Sequence, residues 1–70
     1  MKIKINGVFQ TIETGKKALF LSELIKELGH NPRLVVVEFN GTILPPQIWG
    51  TQRVEDEDSL EIVTIVGGGS

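Results

Sequence analysis

Lys2 to Asn6 and Val8 to Glu13 alternate polar and apolar residues, the pattern of strands that bury one face and expose the other. Between them stands Asn6-Gly7, a dipeptide at ease with positive φ. It predicts a two-residue type I′ hairpin with Ile5 opposite Val8. Ile3, Ile5, Val8 and Ile12 then share one face, and Lys2, Lys4, Phe9 and Thr11 share the other. After a turn at Thr14-Gly15-Lys16-Lys17 the apolar spacing lengthens from two to about 3.6: Leu21, Leu24, Ile25 and Leu28 fall on one helical face. Glu23, Lys26 and Glu27 take the outer face, and Gly29 with Asn31-Pro32 supplies stop chemistry. The helix begins either behind an N-cap at Ser22 or within Leu19 to Leu21, which already turn inward.

Leu34 to Phe39 is apolar on both parities, as expected of a strand inside a sheet, and Asn40-Gly41 is a second hairpin signal leading into Thr42-Ile43-Leu44. Pro45-Pro46 ends that strand. Gln47 to Gly50 fits one tight turn that tucks Ile48 or Trp49 against the sheet edge. An acidic turn, Glu55 to Asp58, leads into Leu60 to Val66, a central strand covered by the helix on one face and partly covered on the other. The order is strand, strand, helix, strand, short strand, strand. A lone amphipathic helix must bury its stripe on the sheet, and the first and last strands are placed to pair in parallel at its centre. This is the plan of an α+β, β-grasp (ubiquitin-like) domain: a mixed sheet of four to five strands with one helix on one face. Residues 1–66 make the domain and residues 67–70 a flexible glycine tail.

Seventy residues, 40% apolar and 23% charged, permit one small core and place the chain away from the composition of disordered proteins. Such a core leaves a net stability of roughly 3 to 5 kcal/mol, and with no cysteine there is no disulfide to add to it. A net charge of −2 argues against nucleic acid as a partner. No apolar stretch approaches the roughly 20 residues of a membrane span, and no signal-peptide pattern opens the chain, so a cytoplasmic protein without a membrane role is expected. The charge is unevenly spread: +3 over residues 1–26, zero over 27–53 and −5 over 54–70. An acidic last third suits a partner with a basic face, although a run such as Glu55-Asp56-Glu57-Asp58 also reads as a solvated turn.

Catalytic groupings are absent from the sequence. His30 sits alone in a loop, Ser22 reads as a cap, and the acidic run lacks the spacing and closing Glu of a calcium loop. Lys16-Lys17 is too small a basic pair to hold phosphate without a glycine cradle. Trp49 reads equally as a satellite of the core or an interface anchor. There remains Gly67-Gly68-Gly69-Ser70. Blandly, it is a frayed or foreign end; functionally, a chain free of side chains threads a narrow channel where any Cβ would clash and presents its carboxylate to another enzyme.

The segments Val37 to Gly41, Ile43-Leu44-Pro45 followed by Trp49, Asp58 to Val63, and the terminal Val66-Gly67-Gly68-Gly69 together resemble the ThiS family of sulfur carriers over essentially the whole chain. The resemblance implies a carrier and not a catalyst. An E1-like adenylyltransferase (ThiF type) would use ATP and magnesium to adenylate the carboxyl of Gly69. Sulfur from a cysteine desulfurase system would replace AMP, and the thiocarboxylate would serve thiazole synthase (ThiG type). The chain itself would bind no cofactor and would be a monomer when free. Gly67 and Gly68 would thread the partner's active site, while the sheet face, Trp49, Glu55, Asp56 and Asp58 would dock partners. With no cysteine, the terminal carboxyl is the sulfur attachment point left to the chain. Three positions depart from the family's pattern. Ser70 follows Gly69, so it is either trimmed before charging or foreign to the natural end. Glu57 replaces a frequent glycine and is strained if the turn needs positive φ. Pro46 stands where an Arg is common. Alternatives are a molybdopterin-type carrier and a non-covalent β-grasp interaction module.

Overall fold

The computed structural model describes residues 1–13, 15 and 19–65. The turn expected at Thr14 to Lys17, the end of the last strand at Val66, and the glycine tail therefore lie wholly or partly outside the described residues. Five strands, β1 (Lys2–Ile5), β2 (Val8–Thr11), β4 (Val35–Phe39), β5 (Thr42–Leu44) and β7 (Ser59–Thr64), form one sheet in the order β2-β1-β7-β4-β5. β3 (Leu19–Phe20) and β6 (Arg53–Val54) pair separately, and α1 (Leu21–Glu27) crosses the sheet. This is the expected β-grasp architecture, with β7 parallel to β1 through Ile5 and Leu60 and antiparallel to β4.

Both predicted hairpins form. Asn6 and Gly7 have φ of 51 and 84, and Asn40 and Gly41 have 48 and 89, the pair of positive values that a type I′ turn demands. Ile5 lies opposite Val8. Asn6 also uses its side chain: Ile62 N–H donates to its Oδ1 at 2.7 Å, and its Nδ2 donates to the Ile62 carbonyl at 3.2 Å. The amide thus stands in for one more peptide of the β1–β7 ladder.

The helix begins at Leu21 behind Phe20, so of the two expected starts the one within Leu19 to Leu21 holds and the Ser22 cap does not. The first free N–H groups of the helix are taken by the loop below it, Leu21 donating to the Gln52 carbonyl at 2.7 Å and Ser22 to that of Trp49 at 3.1 Å. Glu23 reaches back to accept from the Phe20 N–H at 3.0 Å. At the other end His30 N–H donates to Ile25 and Gly29 N–H to Lys26, a Schellman stop in which Gly29 adopts φ 83. The buried stripe Leu21, Leu24 and Ile25 meets Ile3, Ile5, Val35, Val37, Leu60 and Ile62 on one sheet face, closed at the side by Leu19, Trp49 and Val54.

Three expectations change. Val8 shares a face with Ile5 but is 62% exposed, because the short helix does not reach the edge strand β2. The strand expected from Leu34 starts at Val35, since Asn31 Oδ1 accepts from Arg33 N–H and Pro32–Leu34 wind into a 3₁₀ turn. The second face of β7 is not partly covered: Val63 is 60% exposed, for the one helix described lies on the opposite face.

Candidate functional site

Ile65 is the last residue described before the tail, and its N–H donates to the Leu34 carbonyl at 2.6 Å, which ties the exit of the chain to the start of β4. Gly67, Gly68 and Gly69 lie outside the described residues. The last described residue before them stands just past the C-terminal end of the central strand.

The acidic turn sits at the other end of the same strand. Six residues of β7 separate the two, roughly 20 Å at the usual rise of a strand. Within the turn, Asp56 Oδ1 accepts the Lys2 N–H at 2.6 Å, while the Asp58 carboxylate accepts from Glu55 N–H at 2.7 Å and from Asn40 Nδ2 at 3.2 Å. Ser59 N–H completes the link by donating to Asn40 Oδ1 at 2.9 Å. Asp56 and Asp58 thus fasten the turn to β1 and to the second hairpin. Among the described residues no group of acids could hold a metal ion. Glu57 takes φ 71, so the strained alternative for this position holds.

Trp49 settles on the core side of its two readings. It is 2% exposed, and its Nε1–H donates to the Leu44 carbonyl at 3.0 Å. An exposed anchor is ruled out by that burial. Only an edge of the indole reaches a surface groove beside Pro45 and Pro46.

The surface that the fold leaves bare is the outer face of the sheet. Val63 stands opposite Val36, Glu61 opposite Glu38, and Glu38 in turn opposite Ile43, which is 66% exposed. Leu34 and Ile65 continue this apolar strip toward the tail exit. At the far edge the Lys2 and Lys4 ammonium groups lie 4.6 and 5.7 Å from the centre of the Phe9 ring. Two carboxylates facing each other across neighbouring strands are unfavourable for folding and set a negative centre in an apolar field. The sequence held a signal for this face. Both parities of residues 34–37 and 60–65 are largely apolar, and one helix covers one parity, so the other must remain open.

Comparison with known proteins points one way. The family model described as "ThiS family" matches residues 3–69. The crystal structure of the thiamine biosynthesis protein ThiS from Geobacter metallireducens superposes with a TM-score of 0.84 at 31% identity, covering 99% of this chain and 100% of that one. The protein ycf40 of Porphyra purpurea is 39% identical over 70 residues, 99% of this chain and 93% of its own. A thiazole synthase of Paramagnetospirillum magneticum is also 39% identical over 70 residues, but there the match spans 100% of this chain and 21% of the relative.

Proposed function

The chain belongs to the ThiS family, small carrier proteins of thiamine biosynthesis, and on that premise we propose that it carries sulfur as a thiocarboxylate on Gly69. The observation that carries this reading is the extent of the family match, which runs through the whole fold and on to residue 69. A carboxylate does not react with a sulfur nucleophile until it has a good leaving group. An E1-like adenylyltransferase supplies one: with ATP and magnesium it joins the Gly69 carboxylate to AMP and releases pyrophosphate. Sulfur derived from cysteine by a desulfurase then displaces AMP. Gly67 and Gly68 let the tail enter that active site without a Cβ to clash.

The folded body supplies the grip. The apolar strip of Val36, Ile43 and Val63 around the Glu38–Glu61 pair fits a partner surface that is apolar with a basic centre, and it runs toward the tail exit. The acidic turn, some 20 Å away at the other end of β7, is the weaker candidate for a partner contact because Asp56 and Asp58 serve the fold. Thiazole synthase is the acceptor of the sulfur in this reading. Support comes from two thiazole synthases that match 100% and 99% of this chain over 21% and 20% of their own length, where a similar segment is joined to much longer chains. The free carrier is a cytoplasmic monomer.

Intact mass tests the proposal. The chain ending at Gly69, incubated with an E1-like enzyme of this pathway, ATP, magnesium and a sulfur donor, exchanges one carboxyl oxygen for sulfur. An unchanged mass across a panel of such enzymes overturns it.

A further inference from the structure

A groove of about 390 Å³ opens where β5 ends and β4 runs on. Ile43, Pro45 and Pro46 form its walls, Val35 and Trp49 its floor and Ile65 its lip, so it lies beside the tail exit. Arg33 is the one charged residue that lines it.

The floor is not wholly apolar. Ile65 N–H donates to the Leu34 carbonyl just before β4 and Asn40 N–H to the Ser59 carbonyl just after it, so in the register between them Val36 and Glu38 turn their backbone groups toward β7. In a strand adjacent residues point opposite ways, and the N–H and C=O of Val35 therefore turn toward β5. β5 has already ended: its last register pair is Val37 with Leu44, and the place opposite Val35 falls on Pro46, which opens a 3₁₀ turn and has no N–H to give. Among the described residues neither Val35 group has a hydrogen-bond partner across this gap. An unpaired donor and acceptor side by side, between apolar walls, match the edge of an extended chain. A purely apolar small molecule would leave both unsatisfied.

We propose that this groove docks an extended segment of a partner protein, which pairs its backbone with Val35, lays an apolar side chain against Pro45 and the Trp49 edge, and sets a carboxylate beside Arg33. A second copy of this chain fits less well. Its own acidic run is bent into the turn before β7, with Asp56 and Asp58 already accepting hydrogen bonds. The inference goes beyond the carrier reading, since it needs neither ATP, sulfur nor Gly69.

The test uses the full chain labelled with ¹⁵N and a capped peptide, acetyl-Glu-Val-Phe-Val-Glu-amide, with its Lys-flanked counterpart as control, near physiological salt. Saturable shifts are expected at the amides of Arg33, Val35, Ile43 and Ile65, together with a change in the fluorescence of the chain's one tryptophan. The Glu peptide should bind about fivefold tighter than the Lys peptide. That order opposes the net charge of −2, so it reports the local cation. Arg33→Glu should reverse it, and N-methylation of the peptide's Phe, which removes the N–H offered to the Val35 carbonyl, should abolish binding. Shifts confined to Phe9 and Val63, equal affinity for both peptides, unchanged affinity after N-methylation, or a concentration-dependent dimer that occupies the groove would each overturn the proposal.

Discussion

Glu57 holds a φ of 71, where crowding of Cβ against the backbone costs about 1–2 kcal/mol relative to an ordinary conformation. Its N–H nevertheless donates to the Lys2 carbonyl at 2.6 Å, so the turn cannot relax without releasing β1. Glu57→Gly should keep that bond and stabilise the fold by about 0.5–1 kcal/mol, after the added freedom of glycine in the unfolded chain is subtracted. Thermal melting should rise by several degrees; a fall would mean that the Glu57 side chain makes a compensating contact. Trp49 is the opposite case, a residue fully engaged. Trp49→Phe removes the hydrogen bond to Leu44 and part of the ring, costing about 2 kcal/mol, whereas Trp49→Ala at about 3–5 kcal/mol matches the whole stability expected of so small a core. Circular dichroism should show a cooperative melt for the first and no folded baseline for the second. Between Glu38 and Glu61 the strain is electrostatic. Glu61→Gln should stabilise the sheet by about 0.2–1 kcal/mol in chemical denaturation while weakening capture by the activating enzyme proposed above, a divergence that a purely structural pair would not show.

At the level of elements, α1 has seven residues, too few to persist alone, and its stability is borrowed from Leu21, Leu24 and Ile25 against the sheet. Leu24→Ala should cost about 2–5 kcal/mol, and denaturant titration should place its midpoint near zero. What was legible in the sequence follows the same division. The two Asn-Gly hairpins, the helical stripe and the central place of the last strand were readable because each rests on a repeated spacing or on a dipeptide with an unusual φ. The β3–β6 pair was not, for two residues against two contain no period to detect. Nor was the choice between the two helix starts, because the carbonyls that take its first N–H groups belong to Trp49 and Gln52, some thirty residues downstream. Of the candidate site, the glycine terminus was visible as composition alone. The roles of Asp56 and Asp58 emerge only when the turn is seen against β1 and Asn40, a contact between segments far apart in the chain.

In the molecule as a whole, one layer of sheet and one helix give a core on one side and an unoccupied face on the other. Among the described residues no second element packs on that face, and the exposure of Val63 and Ile43 is the consequence. Val63→Arg should therefore alter unfolding free energy by less than about 1 kcal/mol, yet slow the proposed charging by an E1-like enzyme. Equal losses in both measurements would place Val63 in the fold instead of the interface. The order of the sheet has a further effect. The strand at its middle is the last to be made, and Asn6 waits with its side-chain amide for Ile62 to arrive. On the ribosome, no nascent piece that stops short of residue 64 contains the complete sheet. A piece broken off before β7 is left without the strand that joins the two hairpins, so the sheet is completed in one step by the arrival of that strand.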